Sequence, residues 1–449
     1  TVDFAGARYQ EAALTLALIY GIKSNDNPYY NSPIIKKWIE AAVVFWLKIQ
    51  QKNGSFNEWY PYEGSFVATA FSCYAISETL IVMPEIGKER KDEIIICLAR
   101  AGEWVLKHDE TRVFNQQAGA ALFLYNLFLL TKNQKYKKGA EQKIEIILKN
   151  QKNEGWWPEY EGPDVGYLSL MIDYLSKYYK KSNDRKVLGP INKAISFLKY
   201  FLNPDGTIAG NCGSRNTAYL IPSGFFAMQK ESSDASAVCK KIVESLNSKK
   251  SISPKTLDDR YLSYISYNWL QAYLDYKNPD SGKLPSESGK LKKTFGDSKI
   301  LIFGNSNFYV VINVKKGGTW SIFSKKDGKV AGESGIIQKT KKGFLSNGRI
   351  SDLNKIIRED GNNVLILAYF FSISNFPVST SKQMALRIFQ STLGRSGFAS
   401  KLLKKRLRDN LISKKGKGKL KLVRKISIEE EYVSIKDDIM VDPYAFEID

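Results

Sequence analysis

Apolar residues recur at intervals of three and four through most of residues 1–276, and this spacing predicts amphipathic α-helices. Clusters of Gly, Pro, Asn and Asp separate the apolar stretches and predict the loops between the helices. The segments with the clearest helical spacing are YQEAALTLALIYGI, IIKKWIEAAVVFWLKIQ, SFVATAFSCYAISETLIV, QQAGAALFLYNLFLLT, VGYLSLMIDYLSKYY and INKAISFLKYFL.

One polar and aromatic segment occurs twice between these helices, as QKNGSFNEWYPYEG at residues 51–64 and as QKNEGWWPEYEG at residues 151–162. A weaker third copy occupies residues 202–226. Helical hairpins of roughly 40–50 residues are a common repeat unit, and stacked hairpins bury their apolar faces on one another. We therefore expect the helical region to curve into a toroid whose repeated loops line one mouth.

After residue 276 the character of the sequence changes. Residues 277–299 are rich in Pro, Gly, Ser and Lys and predict a linker. Beyond them, segments such as KILIFGNSNFYVVINV and NNVLILAYFFSIS are rich in β-branched and aromatic residues and predict strands. The sequence thus predicts an α+β multidomain protein, with an N-terminal incomplete (α/α) toroid over residues 1–276 and a C-terminal antiparallel β-sandwich-like domain over residues 300–449.

The net charge of +21 is unevenly distributed. Residues 1–276 contain 34 basic and 29 acidic residues, a net charge of +5, whereas residues 277–449 contain 33 basic and 17 acidic residues, a net charge of +16. A positive field attracts polyanions and speeds their capture. The charge alone leaves open an acidic polysaccharide, a nucleic acid, an anionic membrane or a merely solvated surface.

The basic residues are densest in residues 394–425, which we interpret as an insertion in the β domain. Leu402, Leu403, Leu407 and Leu411 would share one face of a helix there. Such a segment can bind an anionic membrane or a polyanion, or it can be a solvated insertion between strands. Nucleic-acid binding through this segment would depend steeply on salt, and no specific nucleic-acid partner is expected.

Several classes of chemistry are excluded by residues that the chain lacks. The single histidine, His108, excludes sites that need more than one histidine, such as multi-histidine metal sites, and its place near a predicted helix end favours a capping or surface role over a part in Ser-His-Asp or Cys-His chemistry. The sequence contains no GxGxxG, GxxxxGK[ST] or HExxH motif, so it gives poor support for nucleotide-driven or zincin chemistry. Four widely spaced cysteines without a CxxC pair predict buried free thiols rather than a zinc site. No cofactor and no metal are predicted.

The localisation remains open from the sequence. No apolar run approaches the ~18 residues of a membrane span, and no signal peptide is visible. Free cysteines favour a reducing compartment, so the expectation leans towards the cytoplasm. The chain begins at Thr1 rather than at a methionine, which leaves a removed leader open.

The repeated loops concentrate side chains suited to carbohydrate binding. Flat rings pack on the C–H faces of sugars while Glu, Asn and Arg bond to the hydroxyls, although rings at loop–helix junctions also close cores. Paired loop carboxylates could also be the acid and base of a glycoside hydrolase. The candidate substrate-binding residues of these loops are Trp59, Glu63, Trp156, Trp157, Glu159 and Tyr160.

A resemblance sharpens this interpretation. RVFNQQAGAALFLYNLFLLT at residues 112–131, followed by Tyr167 in GWWPEYEGPDVGYLSLMIDYL, resembles the heparinase II/III-like polysaccharide lyases and the uronyl epimerases of related fold. In that family an asparagine opens a helix and a later loop supplies a tyrosine. Its members have an incomplete helical toroid followed by antiparallel β-sheets, in the order that the sequence predicts here.

The resemblance implies roles for individual residues. Asn115 would help to neutralise a uronate carboxyl group, with Gln116 where some relatives place a histidine, and Tyr167 would act as base or acid. Glu159 would match the loop glutamate of the family. Arg215, Asn216 and Tyr219 would join them near the mouth. The chain departs from the family in lacking a histidine at the asparagine motif and throughout the β region. Without the resemblance, Asn115 could be a helix cap and Tyr167 a core aromatic.

The physical chemistry of uronic acids agrees with these roles. Removing the C5 proton creates a carbanion beside a carboxylate, and amide or guanidinium donors stabilise the developing charge. Tyrosine titrates near pH 10, and nearby cations would lower its pKa and favour a phenolate base. Loss of the C4 substituent would give lyase activity, the first expectation, and proton return from the other face would give C5-epimerisation. A non-catalytic anionic-glycan-binding protein of surface polysaccharide assembly is a further alternative.

Overall fold

The computed structural model describes residues 6–59, 61–250, 253–278, 282–340, 343–373, 379–408 and 416–441. These residues form thirteen α-helices and eleven β-strands. The helices are α1 (Ala12–Gly21), α2 (Pro33–Lys48), α3 (Phe66–Val82), α4 (Lys91–Leu106), α5 (Phe114–Thr131), α6 (Gln134–Asn150), α7 (Val165–Ser182), α8 (Leu188–Leu198), α9 (Ser223–Met228), α10 (Ser233–Asn247), α11 (Asp259–Asp275), α12 (Thr380–Ser391) and α13 (Gly397–Arg408).

The first eleven helices form a toroid of two layers. The odd-numbered helices α1 to α11 pack each on the next, and α11 returns to α1, so the inner ring is closed. The even-numbered helices α2 to α10 pack outside this ring. Within the described residues the outer layer has five helices against six in the inner ring, so the toroid is incomplete in its outer layer. The predicted architecture is confirmed.

The sequence distinguishes the two layers by how the apolar residues are spread around each helix. The inner helix α5 is buried almost continuously from Phe114 to Leu127. Its outer partner α6 buries a single stripe that includes Tyr136, Ala140 and Ile144, at the spacing of one helix face. A helix that is apolar all round must be covered on every side, which only the inner ring provides.

Aromatic side chains fill the interior of the inner ring. Phe71 and Tyr74 of α3 meet Tyr174 of α7, with ring centroids 5.0 and 5.4 Å apart. Tyr267 of α11 lies 6.0 Å from Tyr74. All four residues are buried. The ring is therefore a packed core rather than a channel.

The three similar loop segments share one backbone turn. In each turn the first residue donates its backbone N–H to the carbonyl of the residue four positions after it. The glycine three positions after the first residue donates its own N–H to the carbonyl of that first residue. All six N–O distances lie between 2.8 and 3.0 Å. The first residues and their glycines are Gln51 with Gly54, Lys152 with Gly155, and Asn203 with Gly206.

The glycines of these turns let each turn dock on the next outer helix. Gly54 and Gly155 have φ angles of +90° and +104°, which residues with a Cβ rarely adopt. A Cβ on either glycine would lie 2.2 Å from a backbone carbonyl oxygen, that of Arg100 on α4 or that of Lys193 on α8. The segment recurs because each copy packs a tight glycine turn against the backbone of the next outer helix.

The remaining residues form mainly antiparallel sheet. The strands are β1 (Leu291–Phe295), β2 (Ile300–Gly304), β3 (Phe308–Asn313), β4 (Thr319–Ser324), β5 (Val330–Glu333), β6 (Ile337–Thr340), β7 (Gly343–Ser346), β8 (Lys355–Asp360), β9 (Asn363–Ile373), β10 (Lys417–Ile428) and β11 (Val433–Val441). Strands β1 to β5 form one sheet in sequential order. The second sheet has the order β11-β10-β9-β7-β6, and β8 also pairs with β9.

The first sheet is covered on both faces. Leu301 and Val310 pack with Ile366 and Ile426 of the second sheet, which makes the two sheets a sandwich. On the opposite face, side chains such as Ile302 belong to the same hydrophobic core as the toroid helices. Burial on both faces explains why ILIFG in β2 is apolar without alternation.

Two segments differ from the sequence-based expectation in detail. Strand pairing already begins at β1, inside the stretch of residues 277–299 predicted as a linker, and the domain division itself stays a prediction. The predicted basic insertion, residues 394–425, contains α13 and the start of β10, while residues 409–415, including Leu411, lie outside the described residues. Helix α12 was not predicted. In the described part of the chain, none of the helices has the length and apolar character needed to cross a membrane.

Candidate active site

The loops that lead from outer to inner helices gather at one end of the toroid. Inner and outer helices alternate along the chain as antiparallel hairpins, so the inner helices α3, α5, α7, α9 and α11 all begin at this end. We call these loops and helix starts the mouth. Free N–H groups and the helix dipole make the N-terminus of a helix favourable for anions. The mouth therefore suits a negatively charged ligand.

Asn115 and Glu159 form the buried base of the mouth. Asn115 lies in the first turn of α5, and its Nδ2 donates to Glu159 Oε2 at 3.0 Å. Isolated antiparallel bridges to Val113 and Gly162 hold Glu159 in place. Burial, aided by the nearby Asp164 carboxylate, raises the pKa of Glu159 well above its ordinary value. The position of Glu159 therefore disfavours its charged form.

Asp164 joins the start of α7 to the loop of residues 210–217. Its Oδ1 accepts the backbone N–H of Tyr167 at 3.3 Å, which caps α7. Its Oδ2 accepts the backbone N–H of Arg215 at 2.8 Å, and the Thr217 hydroxyl also donates to the carboxylate. One carboxyl group thus fixes Tyr167 and Arg215 relative to each other.

Tyr167 projects from the first turn of α7 and is largely buried. Its ring lies 6.2 Å from that of Tyr219 in an edge-to-face arrangement. Burial and the Glu159 carboxyl raise the pKa of Tyr167 above its ordinary value, while the Arg215 charge acts in the opposite direction. The sequence-based expectation that nearby cations would lower this pKa is therefore corrected, because desolvation outweighs the single arginine.

Arg215 is exposed at the mouth and is oriented by an aromatic ring. Its guanidinium carbon lies 4.8 Å from the centroid of the Tyr160 ring. Tyr160 has a φ angle of +62°, and its N–H donates to the Arg112 carbonyl at 2.8 Å. The neighbouring Asn216 is also exposed, and Gln116 is partly exposed beside Asn115. Arg215 lies close enough to act on the charge of Glu159, and Gln116 and Asn216 add further hydrogen-bond donors at the mouth.

The sheet domain holds this side of the mouth in place. Lys316 reaches from the β3–β4 connection and donates to the carbonyls of Asn211 and Gly213 at 2.5 Å, and to the Asn216 side chain. Burial lowers the pKa of Lys316 to about 8. Asn313 of β3 adds a bond of 2.7 Å to the carbonyl of Cys212. The sequence did not identify Lys316, because it lies a hundred residues from the loop that it binds.

A row of aromatic rings and arginines crosses the mouth away from Tyr167. Tyr261 lies 5.9 Å from Tyr219 and 6.4 Å from Tyr264. The Arg260 guanidinium lies 5.6 Å from the Tyr264 ring and 4.5 Å from the ring of Trp59, which is 58% exposed. The sequence analysis singled out Trp59 but missed the start of α11. The run of tyrosines in DDRYLSYISY was the available signal.

Three of the predicted binding residues are buried in hydrogen-bonded positions, and their assignment to binding stays a prediction. Trp156 and Trp157 are buried, and their indole N–H groups donate to Glu154 at 2.9 Å and to the carbonyl of Ile147 at 2.8 Å. Glu63 is also buried, and one of its oxygens accepts the N–H groups of Glu58 and Trp59, each at 2.6 Å. In this structure the two indoles pack the core, and Glu63 shapes the loop that presents Trp59.

No metal site is evident in the part of the chain that the structure describes, where no cluster of three His, Cys, Asp or Glu residues is suited to hold an ion. His108 stacks on Trp104, with ring centroids 4.2 Å apart. Its Nδ1 lies 2.7 Å from the Trp104 carbonyl oxygen. The groups available for chemistry at the mouth are therefore phenols, carboxyls, amides and guanidiniums.

Comparison with solved structures finds the same fold in three proteins with TM-scores of 0.50 or more. Xanthan lyase from Paenibacillus has 10% identity and a TM-score of 0.50, over 82% of this chain and 41% of that enzyme. Chondroitin AC lyase from Streptomyces coelicolor A3, solved with chondroitin sulphate, has 8% identity and a TM-score of 0.53, over 81% of this chain and 60% of that one. Heparinase III has 11% identity and a TM-score of 0.50, over 98% and 72%.

Sequence comparison adds no closer relative. No protein-family model matches the chain, and no curated protein matches it. The chain spans less than two thirds of the length of the xanthan and chondroitin AC lyases. At identities of 8 to 11%, the likeness shows a shared fold.

Proposed function

We propose that this chain, which has the fold of heparinase-type polysaccharide lyases, cleaves an acidic, uronate-containing polysaccharide by β-elimination. The observation that carries the proposal is the meeting of Asn115, Glu159, Tyr167 and Arg215 at the start of the inner helices. The structural neighbours are named as a xanthan lyase, a chondroitin AC lyase and a heparinase, and these names support an acidic polysaccharide as the substrate class.

The uronate carboxylate would lie against the side chains of Asn115, Gln116 and Arg215. These donors stabilise the negative charge that grows on the carboxylate as the C5–H bond breaks. The Tyr167 phenolate accepts the C5 proton, the C4–O bond breaks, and a C4=C5 double bond forms. The protonated Tyr167 then returns the proton to the departing oxygen. Because the pKa of Tyr167 is raised, the phenolate is scarce at neutral pH and the rate is expected to rise with pH.

The row of rings from Tyr219 to Trp59 would bind the sugars that flank the cleaved bond. Tyr219, Tyr261 and Tyr264 follow one another at 5.9 to 6.4 Å, and Arg260 extends the row to Trp59. Aromatic faces pack on the C–H surfaces of sugars, while the arginines would pair with the acidic groups of the polymer.

Tyr167→Phe tests this assignment directly. We expect the variant to lose at least about a thousandfold in rate on uronate polymers, monitored by the absorbance of the new C4=C5 double bond, because removal of the acid–base group leaves only binding. Tyr432→Phe is the matched control, since Tyr432 is an exposed tyrosine of the sheet region, and it should keep full activity. Full activity in Tyr167→Phe would overturn the proposal.

C5-epimerisation is the second candidate, because two phenols lie side by side at the mouth. Tyr219 is 6.2 Å from Tyr167 and could return a proton to the sugar from another direction. Solvent deuterium at C5, without new absorbance, would identify this outcome. Binding of an acidic glycan without absorbance or deuterium uptake would favour a non-catalytic binding protein.

A further inference from the structure

The pair of helices α12 and α13, with the turn Leu393–Arg395 between them, is poorly covered by the rest of the protein. We call residues 380–408 the basic hairpin. Helix α12 has no buried residue. The contacts that hold the hairpin together are internal, such as the bond of 2.6 Å from the Ser400 hydroxyl to the Gly394 carbonyl. The hairpin is thus a folded unit whose outer surface faces solvent.

Large apolar side chains are exposed along this unit. Phe398 has the highest exposure of any large hydrophobic residue in the described chain, at 80%. Met384 and Ile388 share one face of α12, and Phe398 and Leu402 share one face of α13, because each pair is four residues apart. Leu393 lies in the turn between them and is also exposed. A grouped set of exposed apolar residues indicates an interaction surface.

The charge of the same segment has a single sign. Residues 379–408 contain eight Lys and Arg residues and no Asp or Glu. Basic side chains alone would serve a soluble polyanion, but such a polymer gives no apolar environment to Phe398 and Leu402. An anionic bilayer engages both, because the cations meet lipid headgroups while the apolar side chains enter the boundary with the acyl chains.

We propose that the basic hairpin docks this protein on an anionic lipid membrane, with Phe398 and Leu402 inserted below the headgroups. The hairpin lies beside the mouth, because Arg387 and Arg395 line an open cavity of about 420 Å³ together with Pro61 and Tyr62, in the loop that carries Trp59. Docking would therefore hold the mouth next to the lipid surface. The proposal does not depend on the reaction proposed above.

Co-sedimentation of the full chain with lipid vesicles tests the docking. We expect binding to vesicles of phosphatidylglycerol and phosphatidylcholine, weakening as salt is added, and little binding to phosphatidylcholine alone. Phe398→Ser combined with Leu402→Ser should lower the partition coefficient at least about tenfold. Val330→Ser combined with Ile337→Ser is the matched control, since it removes two exposed apolar residues outside the hairpin, and it should bind as the wild type does.

Other outcomes would overturn the proposal. Equal binding of the wild type and the Phe398/Leu402 variant would show that apolar insertion plays no part. Binding to soluble dextran sulfate that is lost in Arg395→Gln with Lys405→Gln, with no binding to vesicles, would identify a polyanion site instead. A dimer that Phe398→Ser converts to monomer, without vesicle binding, would assign the surface to a second copy. Unchanged circular dichroism confirms that each variant is folded.

Discussion

Glu159 shows most clearly how burial and chemistry oppose each other in this protein. The carboxyl is held by Asn115 at the base of the mouth, yet burial and the neighbouring Asp164 disfavour its charge. The same burial must make the stability of the fold depend on pH.

We predict that Glu159→Gln removes this pH dependence. The folded pKa of Glu159 lies well above the ~4.3 of an unfolded chain, so its contribution is complete below about pH 4.3 and is lost as the pH rises towards the folded value. Over that pH range, each unit of rising pH should increase the unfolding free energy of the variant relative to that of the wild type by up to about 1.4 kcal/mol. Thermal unfolding of both proteins from pH 4 to 8 measures the difference, and parallel curves would contradict the prediction.

The sequence identified the residues of the mouth that belong to a recognisable local motif. Asn115, Tyr167 and Arg215 fall in segments whose order along the chain could be compared with a known family. Lys316 and Arg260 were not predicted. The local sequence of a lysine after a strand, or of an arginine at the start of a helix, is the same whether the side chain faces bulk solvent or the mouth. The direction of the pKa shift of Tyr167 also required the structure, since burial is not visible in local sequence.

The repeated turn explains why loop segments of similar sequence join different helices. Each turn places a glycine against the next outer helix, and the residues that follow it descend to the mouth. One segment thus packs against an outer helix and also contributes residues to the mouth. The two tryptophans of the second copy, Trp156 and Trp157, are buried in the packing of this segment, a placement that their aromatic character alone does not reveal.

We predict that Gly155→Ala strongly destabilises the toroid. The added Cβ would lie 2.2 Å from the Lys193 carbonyl oxygen, at a φ of +104°, and the backbone strain alone costs about 1–3 kcal/mol. Gly21→Ala is the control, because Gly21 ends helix α1 at an ordinary φ and no atom outside its own helix backbone and chain neighbours lies within 4 Å of its Cβ position, so alanine there should stabilise by up to about 1 kcal/mol. Thermal midpoints of the two variants should move in opposite directions. A shared direction would show that the turn tolerates a side chain.

Among the elements, long helices with strong periodicity were the most predictable. The sequence placed α2, α3, α5 and α7 near their observed positions. It missed β1, because composition rich in Pro, Gly and Ser suggested a linker, and it missed α12, whose short apolar face is exposed rather than packed against the core.

The helical and sheet regions meet at the mouth, because Lys316 of the sheet region holds the loop that carries Arg215. We predict that Lys316→Met raises KM for the polymer by about tenfold, since the loss of three hydrogen bonds frees Arg215 to move. Lys325→Met is the control, because the Lys325 ammonium also donates to two carbonyls, those of Ser288 and Asn305, away from this loop. Steady-state kinetics and thermal unfolding of both variants separate the effects. Equal changes in KM would refute the positioning role.

The filled interior of the inner ring limits how any long ligand can reach Tyr167. Phe71, Tyr74, Tyr174 and Tyr267 close the axis of the toroid, so a strand of polymer cannot be threaded through it. It must lie crosswise, with both its ends leaving on the side from which it arrived. Under the function proposed above, bonds inside a long strand are therefore not kept from the mouth by any need to thread a terminus through the ring.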